Sequence, residues 1–267
     1  MFVIACKFVP ENRFIFDLVA SIREFHPDEK ICVVDSDSSD KSYSSELEKY
    51  DVIFLDAKNK NYMIGAYWHA YCSFPNEEYY YFLHDSMLVK SNLDYLKNRE
   101  LITLCYFDRN QSNFNTWSRR VENELGIPYF NEGLGCFGPI FFCKNSVMKS
   151  LDSMKVHLLL PESKEETGYC EGLYGFFFEH LGFDLKTAAL FGDVLENESV
   201  GGKSGVYPHN TSWQFPVEKF YASHLGGERS WPTYTNDRKF HSILLHFKIK
   251  SKSLYDSRVK KFVRKGE

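Results

Sequence analysis

Three groups of residues in this 267-residue chain carry side chains able to do chemistry. In the first, the apolar run Ile31-Cys32-Val33-Val34 breaks into Asp35-Ser36-Asp37-Ser38-Ser39-Asp40-Lys41-Ser42, a polar stretch with three carboxylates. In the second, Tyr79-Tyr80-Tyr81-Phe82-Leu83 ends in His84-Asp85-Ser86. In the third, an aromatic stretch over residues 168–183 carries Glu171 near its start. Such carboxylates and hydroxyls can accept hydrogen bonds from a ribose or a base, hold a hard cation through oxygen, or take up a proton. In an open α/β sheet, ligands lie outside the carboxyl ends of the strands. Acidic and hydroxyl groups delivered by two strand ends therefore point to a nucleotide-type pocket.

The elements that must position these groups follow from the hydrophobic pattern. Residues 2–9 read as a buried strand. A helix is expected over residues 13–25, with Phe14, Leu18, Ile22 and Phe25 on one face, closed by His26-Pro27-Asp28. Strands follow at 31–34 and 52–55, with a short helix at 45–50 between them. A helix at 61–73 presents Ile64, Trp68 and Tyr71 on one side, and a fourth strand spans 79–83. This alternation predicts a mostly parallel sheet with right-handed crossovers. Later segments read as an apolar run at 101–105, a long polar loop or flap over 108–130, a strand at 140–143 and an aromatic helix over 168–181 closed by Gly182.

The order of these elements resembles the nucleotide-sugar half of GT-A-fold glycosyltransferases. The resemblance rests on Asn12-Arg13 after the first strand, on Val33-Val34-Asp35-Ser36-Asp37-Ser38-Ser39-Asp40 beside the family's Val-Val-Asp-Asp-Gly-Ser-Thr-Asp, and on Phe82-Leu83-His84-Asp85-Ser86 beside its Leu-Asp-Asp-Asp. It spans roughly residues 2–190. It implies an α/β, three-layer sandwich with a mostly parallel, Rossmann-like central sheet. It also implies transfer of a sugar from a nucleotide-sugar donor to a hydroxyl of a glycan or glycoconjugate, with inversion if one carboxylate deprotonates the acceptor while the diphosphate leaves from the opposite face. Donor contacts are implied for Asp35, Asp37, His84, Asp85 and Ser86. Asp40 reads rather as a turn-former or helix cap.

The chain departs from the family at the second motif. A hard divalent cation, Mn or Mg, wants several oxygen ligands, and His84-Asp85-Ser86 offers one carboxylate. Asp85 is the candidate metal ligand, with His224 as a distant partner, and a metal-independent reaction is the alternative. His224-Leu225-Gly226-Gly227-Glu228-Arg229 supplies Arg229 as a candidate for the diphosphate, because a guanidinium matches phosphate oxygens. On the acceptor side, counting back from Gly182 places Glu171 where the family keeps its catalytic carboxylate. Glu171 is then expected at a helix N-terminus, held ionised by the helix dipole. Glu165 and Glu166 are the fallback candidates. Trp117, Trp213 and Trp231, expected in loops, are available to stack on sugar rings.

Composition excludes other classes. A formal charge of −4 argues against general nucleic-acid binding. The seven cysteines are scattered and never spaced as Cys-x-x-Cys, so they read as small core residues of a reducing compartment, which gives a cytoplasmic expectation. Gly201-Gly202-Lys203-Ser204 lacks the earlier glycine and the leading strand of a P-loop. The division expected is one domain over residues 1–247 and a basic tail over 248–267, which carries +6 and leaves −10 on the rest. Along that tail Leu254, Tyr255, Val259, Phe262 and Val263 line up against Arg258, Lys260, Lys261, Arg264 and Lys265. The pattern fits peripheral contact with an anionic membrane or a solvated helix packed on the domain. Two rival functions are compatible with the same pattern: an inactive GT-A-like module that binds glycans or scaffolds an assembly, and a sugar nucleotidyltransferase. The second would need a glycine-rich, Arg-bearing loop after strand one, where the chain has Lys7-Phe8-Val9-Pro10-Glu11-Asn12.

Overall fold

Strand β1 (Phe2–Cys6) lies near the middle of a six-stranded sheet, fully buried along its length. Its side chains alternate between two separate cores. Phe2, Ile4 and Cys6 face one core, and Val3 and Ala5 face the other, as the period of two along a strand requires. The computed structural model describes residues 1–7, 14–58, 62–85, 87–109, 115–130, 132–193 and 217–219.

The first half builds the parallel part of the sheet. Helix α1 (Phe14–Phe25) packs Ile15, Leu18, Val19 and Ile22 on the Phe2 and Ile4 face. Strand β2 (Ile31–Asp35) pairs parallel with β1, and β3 (Ile53–Asp56) pairs parallel with β2. Between them lie α2 (Tyr43–Leu47) and a short 3-10 turn. Helix α3 (Tyr62–Ser73) then crosses the opposite face and leads into β4 (Tyr79–His84), parallel to β1 on its other side. The order β3-β2-β1-β4 therefore reverses direction between β1 and β4. A crevice at such a reversal is where α/β sheets hold ligands.

The second half extends the sheet and covers it. Strand β5 (Met87–Val89) leaves the sheet just after β4. It pairs antiparallel with β10 (Val217–Lys219), so a segment from late in the chain returns beside His84-Asp85. Strand β6 (Leu101–Thr103) forms the far edge, and β9 (Phe141–Lys144) runs antiparallel between β4 and β6. The chain between them, residues 104–140, makes a small ribbon from β7 (Tyr106–Asp108) and β8 (Leu134–Cys136). Helix α5 (Asn145–Ser153) and helix α6 (Lys164–His180) pack on the face shared with α3, joined by the Trp68 indole N–H donating to the Tyr174 hydroxyl at 2.8 Å. The short helix α7 (Leu185–Ala188) closes that face. Each fully buried Val, Ile, Leu or Phe in these cores contributes about 1.5–3 kcal/mol of transfer free energy.

The α/β, three-layer, mostly parallel architecture expected from the sequence is the one observed. Two local expectations are corrected. The 108–130 segment is not a loop throughout: α4 (Asn115–Arg120) and a π-helical turn over Val121–Leu125 occupy much of it. Trp117, expected in a loop and free to stack on a sugar, is a fully buried residue of α4, and the Arg120 guanidinium lies 4.8 Å from its ring centre. The helix expected at 168–181 begins a full turn earlier, at Lys164. The proposed division at residue 247 lies outside the described residues. No helix among the described residues is long and apolar enough to cross a membrane.

Candidate functional site

The carboxyl edge of the sheet collects most of the described candidate residues. Parallel register aligns Cys6 with Asp35 and Asp35 with Asp56, and on the other side Ala5 with His84. Two hydrogen bonds tie the neighbouring turns to the end of β1. The Ser36 amide donates to the Cys6 carbonyl at 2.9 Å, and the Asp85 amide donates to the Ala5 carbonyl at 3.1 Å. The 36–42 loop and the His84-Asp85 turn thus stand on either side of β1, at the reversal point of the sheet.

Asp35 is fully buried and its carboxylate points inward. One oxygen accepts the Tyr43 hydroxyl, and the other accepts the Ser38 amide at 2.7 Å. The Cys6 sulfur sits 3.3 Å from the same Tyr43 oxygen. Burial, with the nearby Asp85 charge second, pushes the Cys6 thiol well above its ordinary range. Burial also raises the Tyr43 hydroxyl, which therefore stays protonated and donates. In this geometry Asp35 shapes the 36–42 loop from beneath. Asp37 is exposed and faces the Lys7 ammonium at 3.8 Å. Asp40 accepts both the amide and the hydroxyl of Ser42, at 2.8 and 3.0 Å, which is turn-forming at the entry to α2. Those bonds hold its carboxyl below the usual range.

Asp56 was not singled out in the sequence. It ends β3 and accepts the Lys41 ammonium at 2.6 Å, which lowers its carboxyl. Lys7 was also missed. It follows the last residue of β1, and its ammonium lies 5.2 Å from the centre of the Tyr62 ring. Tyr62 opens α3 with a left-handed φ of 56°, a conformation that is uncommon for a residue other than glycine. The Ser36 hydroxyl donates to its carbonyl at 3.1 Å. A strand end can be read from an apolar run, but which lysine meets which carboxylate depends on register.

Glu171 is not at a helix N-terminus. Ser163 caps α6 by accepting the Glu166 amide at 3.1 Å, and Glu171 lies two turns further in, where the first-turn dipole argument no longer applies. Its position comes from tertiary packing instead. The Gly138 amide donates to a Glu171 carboxylate oxygen at 2.9 Å. Gly138 precedes β9, and β9 is antiparallel to β4, with Phe141 opposite Phe82. The turn carrying Gly138 therefore emerges at the same edge as His84-Asp85, and Glu171 is held there by it. Of the fallback candidates, Glu166 is engaged structurally, facing the Arg120 guanidinium at 3.2 Å and accepting the Glu162 amide at 2.7 Å. Glu165 belongs to the first turn of the helix, next to Glu166 in sequence.

One face of α6 runs along β8. Glu171 meets Gly138, Gly175 packs on Gly135, and Glu179 accepts the Leu134 amide at 3.0 Å. Glu179 also pairs with the buried Arg109 at 2.8 Å. Burial acts first at both ends of that pair, lowering the Arg109 guanidinium and raising the Glu179 carboxyl above its ordinary value. The pair clamps the ribbon to the helix.

His84 and Asp85 sit together at the end of β4, both partly exposed. Among the described residues, no three His, Cys, Asp or Glu side chains gather as a metal site. Ser86, His224 and Arg229, together with Asn12-Arg13, Trp213, Trp231, the 201–204 glycine motif and the basic tail, lie outside the described residues.

No family model matches the chain, and no curated protein matches it. Among solved structures it is similar to the glycosyltransferase GlyE of Streptococcus pneumoniae TIGR4, at 16% identity and TM-score 0.43, over 67% of this chain and 43% of that one. It is also similar to residues 1–349 of S. aureus TarS, solved in complex with UDP, at 11% identity and TM-score 0.34, over 57% and 48%. The bifunctional glycosyltransferase WbbM matches at 14% identity and TM-score 0.37, over 57% and 32%. The chain spans less than half the length of each of these three structures.

Proposed function

We propose that the chain is a glycosyltransferase that moves a sugar from a nucleotide-sugar donor to a hydroxyl of a glycan or glycoconjugate. The observation that carries this reading is the 2.9 Å hydrogen bond from the Gly138 amide to Glu171. It brings a carboxylate from the second half of the chain to the sheet edge where β1, β2 and β4 end. A donor pocket and a base then share one mouth.

In this reading the donor lies outside the ends of β1 and β4, between the 36–42 loop and His84-Asp85. Asp35 acts from beneath by fixing that loop through Tyr43 and Ser38, and Asp37 and His84-Asp85 face the donor. The Glu171 carboxylate takes the proton of the acceptor hydroxyl. The acceptor oxygen forms a bond to the anomeric carbon as the bond from that carbon to the diphosphate oxygen breaks. The diphosphate leaves with the electron pair, and the anomeric configuration inverts. A divalent cation, if the enzyme takes one, would be held by Asp85 and would neutralise charge on the leaving diphosphate.

The test is release of free nucleoside diphosphate from a panel of nucleotide sugars, with and without candidate glycan acceptors. Acceptor-dependent release from at least one donor supports the reading. Absence of release and of any nucleoside diphosphate binding would reject it in favour of a module with another role.

A further inference from the structure

We infer that Arg109 and Glu179 are a positioning pair for the base: they fix the register of α6 against β8, and through it the place of the Glu171 carboxylate during turnover. Their role rests on the reading of Glu171 as base given above. Neither residue was singled out in the sequence.

Three contacts join α6 to the β8 side of the ribbon, and they fall in step. Glu171 accepts the Gly138 amide, Gly175 packs on Gly135, and Glu179 accepts the Leu134 amide. From Glu171 to Glu179 the helix advances about 12 Å. From Gly138 back to Leu134 an extended chain covers about 13 Å. The two lengths match, and each end is pinned by an amide donating to a carboxylate, so both bonds close in one register.

The two pinned ends differ once the reaction begins. Glu171 takes a proton in every cycle, and a protonated carboxyl is a weaker acceptor for the Gly138 amide than a carboxylate. Its own bond slackens at the moment when its position matters. Glu179 keeps its bonds throughout: one oxygen accepts the Leu134 amide at 3.0 Å, and the other accepts the Arg109 guanidinium at 2.8 Å. Arg109 directly follows β7. Its amide donates to the Gly133 carbonyl at 2.9 Å and its guanidinium also donates to the Glu132 carbonyl, so one side chain joins β7, the approach to β8 and α6.

The surroundings are shaped to hold this pair. Arg109 is 2% exposed, and its guanidinium lies 5.5 Å from the centre of the Phe176 ring, which packs on Tyr129. A Cβ on Gly133 would collide with both the Arg109 guanidinium and the Glu179 carboxylate, and the Gly133 φ of 110° is one that side chains rarely adopt. A buried ion pair is a poor source of net stability, because desolvation offsets its attraction, and its better-attested use is to fix one geometry.

The experiment is a double-mutant cycle in kcat between Glu179 and Glu171, read by acceptor-dependent release of nucleoside diphosphate from the full chain. Glu179→Gln removes the charge facing Arg109 while keeping an oxygen for the Leu134 amide. Alone it should lower kcat by about 10- to 100-fold, the scale of a displacement near 1 Å, with diphosphate affinity unchanged. In the Glu171→Gln background, where there is no base to misplace, it should lower kcat little further. Arg109→Lys keeps the charge and loses the guanidinium fork. It is carried through the same cycle, so that the result does not depend on one variant folding, and thermal unfolding identifies the folded ones. An equal loss of rate in both backgrounds would overturn the positioning role and leave glycosyl transfer in place. So would an unchanged kcat in a folded variant, a loss of diphosphate affinity matching the loss of rate, or failure of both variants to fold, which would make the pair purely structural. Wild-type turnover in Glu171→Gln would overturn the base, and the positioning role with it. A wild type that releases no diphosphate with any donor and acceptor would overturn the glycosyl-transfer reading itself.

Discussion

Gly175 of helix α6 and Gly135 of strand β8 meet backbone to backbone. A Cβ placed on Gly175 would lie 2.6 Å from the Gly135 Cα and 2.2 Å from the Leu134 carbonyl oxygen. Both obstacles are main chain, so neither can rotate away. The contact sets how deeply α6 seats on the ribbon. Glu171 is one turn before Gly175, and Gly138 is three residues after Gly135, so the same contact sets whether the carboxylate reaches its amide.

Gly175→Ala should therefore destabilise the protein by about 1–3 kcal/mol, as overpacking of a tight contact does, and should lower glycosyl transfer along with stability. Chemical denaturation gives the first quantity and a turnover assay the second. An Ala variant with wild-type midpoint and rate would show that the helix has room to spare.

Glu171→Gln keeps the shape and the capacity to accept the Gly138 amide while removing the charge. The expected result is a fall in kcat of about 10²- to 10⁴-fold with donor affinity nearly intact. Rate and affinity must be measured on the same preparation. Near-wild-type turnover would remove Glu171 from the role of base, and a product of retained anomeric configuration would remove the single-displacement mechanism.

Tyr43→Phe leaves the buried Asp35 carboxylate without its hydroxyl donor. The cost should be about 1–3 kcal/mol, the penalty of a buried acceptor left unmade. Because the 36–42 loop is fixed through Asp35, diphosphate binding should weaken as well. A Phe variant that is as stable as the wild type would show that water replaces the hydroxyl.

His26 supplies the pH dependence. Its Nε2 accepts the Leu93 amide at 2.9 Å, so its proton is on Nδ1, which faces Asp94 at 3.8 Å. The ring also packs on Phe2 and Tyr81. Burial lowers its pKa below the ordinary 6.5, Asp94 and Glu29 partly offset this, and Lys97 and the Met1 ammonium add to it. The unfolded chain thus binds the proton more readily than the folded one. The His26 contribution is fully present above about pH 6.5 and is lost as pH falls through the folded value. Denaturation midpoints should drop on that acid side, and His26→Gln should flatten the slope. A slope unchanged in the variant would assign the acid sensitivity to other groups.

The sequence made the parallel half of the sheet legible because each of its strands is a short apolar run ending at polar residues. Asp35, Asp85 and Glu171 could each be singled out, yet what they touch could not. Asp35 turns inward because Tyr43 returns over it from α2, a contact that periodicity does not encode. The true start of α6, the capping pattern Ser163-Lys164-Glu165-Glu166, precedes the aromatic stretch by about a turn, and this puts Glu171 in the helix interior and not at its N-terminus. Trp117, Val121 and Leu125 recur every four residues, a helical signal hidden among the polar residues of 108–130. Which groups gather around Lys7 carried no signal either, since that depends on strands β2 and β4 arriving on either side of β1.

The reversed strand β9 has a consequence for how such a chain can diversify. Because β6 and β9 are direct neighbours, with Thr103 opposite Phe141, the whole 104–140 excursion leaves and re-enters the sheet at nearly one point. It behaves as an insertion plugged into a closed socket. Doubling the length of such an excursion costs only about 0.6 kcal/mol in closure entropy. If the chain is the glycosyltransferase proposed above, length changes within this excursion, away from the Gly135–Gly138 segment that seats Glu171, would reshape the acceptor side of the mouth while the strands on the donor side keep their register.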